Sequence, residues 1–245
     1  MGVNFADAPQ WFRSSFTRSA LGAGATASEA EIGGVADSLV ERWSGPERHF
    51  HNLKHLATVL HRVDELSQET HEPDLVRLAA WYHGAVFSAD RKLASAFKNG
   101  EQTTASAELA RKELTALGLP EKNVERVAHL VDTLLWHTPD PRDTDSQVLN
   151  DADLSMLAIE PQRYKQYVAA VREEYGHIPQ RDFVRARIRV LQRLLGRKQI
   201  FSSPMGGAWE NAARQNIEAE LARLLKEQAT LPPEDVEGSP APRAS

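Results

Sequence analysis

The chain has 245 residues, of which 41% are hydrophobic, and a formal net charge of −5 from 29 basic and 34 acidic side chains. That balance excludes a disordered chain and lacks the positive charge that would neutralise a nucleic-acid backbone, so no nucleic-acid polymer is expected as partner. It contains no cysteine, which excludes disulfides, thiolate nucleophiles and cysteine-ligated zinc or iron–sulfur sites and leaves any metal to nitrogen and oxygen donors.

Trp11 to Leu21 reads as a helix. The stretch Gly22-Ala23-Gly24-Ala25-Thr26-Ala27 fits a loose dinucleotide-binding fingerprint, but that motif works only between a strand and a helix. Following a helix, it reads as a small-residue loop with Thr26 or Ser28 as the next N-cap. Amphipathic spacing then recurs along the chain. It is carried by Leu56, Val59, Leu60, Val63 and Leu66, by Leu75, Leu78, Ala79, Tyr82 and Val86, and by Val124, Val127, Val131 and Leu134. Tyr164, Tyr167, Val168, Val171 and Tyr175 repeat it, as do Val184, Ile188, Leu191 and Leu195. One-face stripes at this spacing predict helices. Gly118-Leu119-Pro120, Pro139-Asp140-Pro141 and the pair Gly176 and Pro179 supply the breaks. The prediction is an all-α, single-domain bundle of about nine or ten helices within residues 1–230, followed by a disordered proline-rich tail over 231–245. The stripe Ile217, Leu221, Leu224 leaves two outcomes open, packing inward or against a second copy in a homodimer.

No apolar run approaches the ~18 residues that would span a membrane. The first residues lack the basic start and apolar stretch of a secretory signal. The expected location is therefore cytoplasmic, away from the membrane.

Three segments gather residues with chemistry. In Arg48-His49-Phe50-His51-Asn52-Leu53-Lys54-His55, His51 and His55 are four apart and share a face if the helix begins that early. His55 borders the stripe of Val59 and Val63. His83, in Trp81-Tyr82-His83-Gly84, lies above Ala79 and Val76 at a buried edge. In Asn150-Asp151-Ala152-Asp153-Leu154, Asp153 aligns with Leu149, Met156 and Leu157 and faces inward, whereas Asp151 points about 200° away on a helical wheel. Singly, an inward histidine is more often a hydrogen-bonded core residue than a ligand. Two histidines and an aspartate turned inward together are harder to explain as packing, because a buried carboxylate needs a partner or a metal. His61 and His129 sit among polar neighbours and are expected on the surface. His137 ends a helix, either as a charge partner of its C-terminus or as a pocket residue.

The order His, then His-Asp, then Asp on successive helices resembles the HD superfamily of metal-dependent phosphohydrolases, and more narrowly a bacterial group within it. The matching pieces are RHFHNLKHL, LAAWYHGAVF, SAELARKEL, NDADLSML, YVAAVREEYGHIP, VLQRLL and IFSSP, with a weaker echo in ENAARQNIEAEL. The resemblance implies an HD-type bundle and hydrolysis of a nucleotide or other small phosphorylated molecule. It implies a metal held by His55, His83 and Asp153. By the same carry-over His51 would support the ligands or touch substrate, and Asp151 is the rival of Asp153 as last ligand; both are taken as catalytic candidates. From their own chemistry and position, Arg48, Lys54 and His137 are candidates to bind substrate.

The departure falls at the doublet. Where the family has His-Asp, this chain has His83-Gly84, and glycine has no side chain to ligate. The remaining set suits one divalent transition ion (Mn, Fe, Ni, Co or Zn) rather than two. Glu101, Asp90 or Asp151 are candidates to replace the lost carboxylate, and Arg91 is a further phosphate candidate. A catalytically degenerate HD-fold module that binds a ligand or partner is the competing expectation.

Overall fold

In a computed structural model, residues 8–87, 101–135 and 137–231 are described. Among them the chain folds into ten α-helices without a strand. These are α1 (Ala8–Gly22), α2 (Glu29–Trp43), α3 (Leu53–Glu65), α4 (Pro73–Tyr82) and α5 (Glu101–Ala116), then α6 (Glu121–Thr133), α7 (Thr144–Leu154), α8 (Pro161–Glu174), α9 (Gln180–Leu195) and α10 (Glu210–Thr230). Single 3₁₀ turns lie at Ser67–Glu69, Ser155–Ala158 and Gly206–Trp209. The all-α bundle inferred from periodicity is the observed architecture. No helix among the described residues is long and apolar enough to cross a membrane. The tail beyond Leu231, together with Asp90, Arg91 and the side chain of Glu101, lies outside the described residues.

The helix boundaries follow local chemistry. Ser28 caps α2 in a capping box with Glu31, which satisfies two end groups reciprocally and settles the choice between Thr26 and Ser28. Asn52 caps α3, its side-chain oxygen accepting from the N–H groups of Lys54 and His55. The first turns of α4 and α8 carry Pro73 and Pro161, where a missing N–H costs nothing. Gly118 turns the chain between α5 and α6 at φ +74°, a left-handed conformation that glycine adopts without strain.

Two apolar clusters form the interior. The first spans α1 to α7, from Phe12 to Ala152. The second gathers Leu157 with α8, α9 and α10, including Tyr164, Ile188, Phe201 and Ile217. Within the second, Arg187 forms two hydrogen bonds to Glu220, at 2.8 and 3.0 Å, with both side chains nearly inaccessible. Ile217 and Leu224 are buried in this cluster and Leu221 packs against it, so that stripe turns inward.

Helices α4 and α7 run through the middle of the first cluster. Helix α7 is buried at every residue from Asp145 to Ala152. Asp151, about 200° from Asp153 on the wheel, is therefore fully buried as well. Helix α3 begins after His51, which sits in the preceding turn rather than on the helix. The end of α7 lies where the chain passes from the first cluster to the second, and it carries Asp153 to that junction.

Candidate metal centre

Three elements place three donor atoms together. His55 stands in the first turn of α3, fixed by the Asn52 cap, and is 4% exposed. His83 follows the last residue of α4, its N–H bonded to the Ala79 carbonyl. Asp153 is the penultimate residue of α7. The Nε2 atoms of His55 and His83 are 3.2 Å apart. Asp153 Oδ1 lies 3.1 Å from the first and 3.6 Å from the second. His55, His83 and Asp153 thus form a group that could hold a metal ion.

The donors fit such an ion in geometry and in charge. Ligands bonded at ~2.1 Å to one transition ion are themselves roughly 3.0–3.4 Å apart, close to the separations here. His83 directs its Nδ1 at the Ala80 carbonyl, 2.6 Å away, which fixes that nitrogen as the N–H and leaves Nε2 as the donor to the site. Burial pushes the His83 imidazole down to about 4, against the opposing pull of Asp153. Burial works to raise the Asp153 carboxyl, but the His55 hydrogen bond and the neighbouring imidazoles hold it below the ordinary carboxylate range. Neutral imidazole beside ionised carboxylate is the protonation state that metal binding requires. His55 is positioned by packing, since its Nδ1 has no hydrogen-bond partner among the described residues. Its ring lies 4.7 Å from Phe50 and 6.1 Å from Trp43, centroid to centroid.

The structure also shows what stands at the Gly84 position. A Cβ built on Gly84 would come within 2.5 Å of Trp43 Cη2, with two more ring carbons at 3.1 and 3.2 Å. Trp43 is fully buried at the end of α2, and its Nε1 donates to the Trp81 carbonyl at 3.0 Å. The indole therefore fills the space that an aspartate would need.

The other expected residues fall in distinct places. His51 flanks His55, ring centroids 5.5 Å apart. Its Nδ1 is 2.6 Å from Glu174 Oε2. His137 lies beside the three-residue group. Its Nε2 lies 3.8 Å from Asp153 Oδ2 and its Nδ1 3.2 Å from Asn150 Oδ1. Its backbone is left-handed, at φ +48°, a conformation uncommon outside glycine. Arg197 secures that conformation with a 2.6 Å bond to the His137 carbonyl.

Asp151 is engaged elsewhere. It is not part of the three-residue group. Its carboxylate accepts the N–H groups of Ser202 and Ser203 at 2.7–3.0 Å and the Asn150 amide at 3.1 Å. It thereby ties α7 to the loop before α10. Burial raises its pKa despite those bonds. Arg48 is committed as well. It donates to the His51 carbonyl at 2.9 Å and to the Ala85 carbonyl at 3.3 Å, and stacks on Trp43 and Phe87. It thus braces the two histidine-bearing turns against each other instead of presenting an open phosphate grip. Lys54 is exposed, as are His61 and His129.

Two residues of the site escaped sequence reasoning. Glu174, 3% exposed, continues the α8 stripe three residues after Val171 and seven after Tyr167. An acid at an apolar stripe position was the available signal. Trp43 left no signal of its role, because only the tertiary structure brings α2 against Gly84.

Comparison of the chain with protein-family models, with curated proteins and with solved structures finds no match.

Proposed function

We propose that the protein is a metal-dependent phosphohydrolase of HD type, acting on a nucleotide or other small phosphate ester at a single divalent transition ion. The observation that carries this reading is the convergence of His55 Nε2, His83 Nε2 and Asp153 Oδ1 at the junction of the two apolar clusters. The sequence resemblance supports the reaction class. An ion held there would polarise a phosphoryl oxygen and acidify a water. The chain's own residues do the rest. The Ala80 carbonyl and the Phe50 and Trp43 rings orient the two imidazoles. Asp153 contributes Oδ1 to the cluster and turns Oδ2 toward His137. His137, partly exposed beside Asp153, is the side chain within reach of a bound ester.

The test is metal content and turnover together. Protein loaded with Mn(II) should hold one ion per chain by elemental analysis and hydrolyse 4-nitrophenyl phosphate. His55→Ala and His83→Ala should each abolish both. Metal that stays stoichiometric in both variants sinks the assignment.

A second reading is favoured by one observation, the Trp43 ring occupying the space at Gly84. On this reading the chain is a degenerate module that binds a ligand without turning it over. It predicts metal binding without hydrolysis of any nucleotide or phosphate ester.

A further inference from the structure

Glu174 is a buried acid that the three-donor group does not use. Its side chain has no accessible surface, while the His51 ring that it faces is about one-third exposed. Glu174 Oε1 accepts the backbone N–H groups of Phe50 and His51 at 3.1 and 2.9 Å. Oε2 faces His51 Nδ1 at 2.6 Å. Burying a carboxylate costs several kcal/mol unless its lone pairs are met, and here both oxygens are met by one short segment, Phe50-His51. Burial would raise the Glu174 pKa, but these bonds, that of His51 first, hold it below the usual range. An ionised carboxylate on Nδ1 can only accept, so Nδ1 carries the hydrogen and Nε2 is left as the basic nitrogen. The ring then stands beside His55, 5.5 Å between centroids, with Phe87 on another side at 5.6 Å.

A fixed tautomer held by a buried carboxylate, next to a metal-type cluster and open to solvent on one edge, is the arrangement of a proton carrier.

We propose that Glu174 and His51 form a dyad in which Glu174 positions the imidazole and His51 Nε2 moves the proton of the hydrolysis. This rests on the phosphohydrolase reading above. As the water oxygen bonds to phosphorus and the ester P–O bond breaks, Nε2 accepts a proton of the attacking water and returns it to the leaving alkoxide. The products are an alcohol and inorganic phosphate, and the dyad ends as it began. Glu174 stays ionised throughout and touches no substrate. It is a positioning residue, and His51 is the catalytic one.

The experiment compares the full chain with His51→Ala, Glu174→Gln and Glu174→Asp. Nitrogen-15 imidazole spectra of the metal-free proteins read the tautomer, Mn(II) content reads the metal site, and steady-state hydrolysis of 4-nitrophenyl phosphate reads turnover. Expected are a His51 Nδ1–H tautomer in the native chain and its loss in Glu174→Gln. Mn(II) content should be native in all three variants. The kcat should fall about 100-fold for His51→Ala and at least about tenfold for Glu174→Gln, with KM within about threefold and partial recovery in Glu174→Asp. His51→Ala leaves the buried acid and its two backbone bonds in place, so it reports even where Glu174→Gln folds poorly. Native kcat in both His51→Ala and Glu174→Gln overturns the dyad while leaving the metal reading intact, as does an Nε2–H tautomer in the native chain. Loss of Mn(II) from His51→Ala overturns it too, since His51 would then support the metal instead. A native chain that binds no Mn(II) overturns the metal reading first, and the dyad's role with it.

Discussion

Placing an aspartate at position 84, where the resembled family carries one, should fail, and the reason is steric. The resemblance makes Gly84→Asp the obvious repair. The backbone at Gly84 is not left-handed, so an L side chain is barred there by packing alone. Its Cβ would stand 2.5 Å from Trp43 Cη2, well inside contact distance. Trp43 cannot swing aside cheaply, because it is fully buried, bonded to the Trp81 carbonyl and stacked beneath Arg48. Overpacking of this kind costs about 1–3 kcal/mol, and loss of the indole hydrogen bond adds about 1 kcal/mol. We expect Gly84→Asp to lose about 2–4 kcal/mol by urea denaturation, a drop in Tm of roughly 5–12 °C for a chain of this size. It should gain neither a second bound Mn(II) nor faster ester hydrolysis. Trp43→Ala should be costly alone, by about 3–5 kcal/mol, yet combined with Gly84→Asp the two costs should fall short of their sum by at least about 1 kcal/mol. A Gly84→Asp protein within about 0.5 kcal/mol of native, or strict additivity in the double variant, would refute the reasoning.

Other outcomes follow from the same contacts. Asp151→Ala should destabilise the chain by about 2–4 kcal/mol in chemical denaturation by stranding the Ser202 and Ser203 N–H groups, while Mn(II) content stays native. In the metal-free protein His83 is held at about 4 against an ordinary value of 6.5. The unfolded chain therefore takes up a proton first as pH falls. The stability from keeping His83 neutral is whole above pH 6.5 and drains away between there and about 4, by up to about 3 kcal/mol. His83→Gln should flatten that slope in unfolding free energy measured against pH. Arg187→Leu should cost about 3–5 kcal/mol by leaving Glu220 buried and unpaired. Adding Glu220→Leu should recover most of that loss in the same urea assay.

Local patterning made much of the helical fold legible. The stripes of α3, α4, α6, α8 and α9 were written in residue spacing, Gly118 and Gly176 marked where helices stop, and Pro179 where α9 begins. Spacing located the ends of elements less well where a cap decides. Asn52 starts α3 two residues after Phe50 and so puts His51 in a turn, which no periodicity reveals. For the site, the types and order of His55, His83 and Asp153 singled them out, because inward polar groups are costly and cysteine is absent.

What the sequence determined by itself was the all-α class and a nitrogen–oxygen donor set, since both depend on local pattern and composition. Tertiary structure alone decided the rest. It placed α7 in the interior, so that its two aspartates parted by what surrounds them, with Asp151 taken by the Ser202-Ser203 backbone and Asp153 facing the histidines. It brought Glu174 across more than a hundred residues to His51, and it set Trp43 over Gly84. Such pairings depend on which helix faces lie against each other, and that choice belongs to the packing of the whole chain.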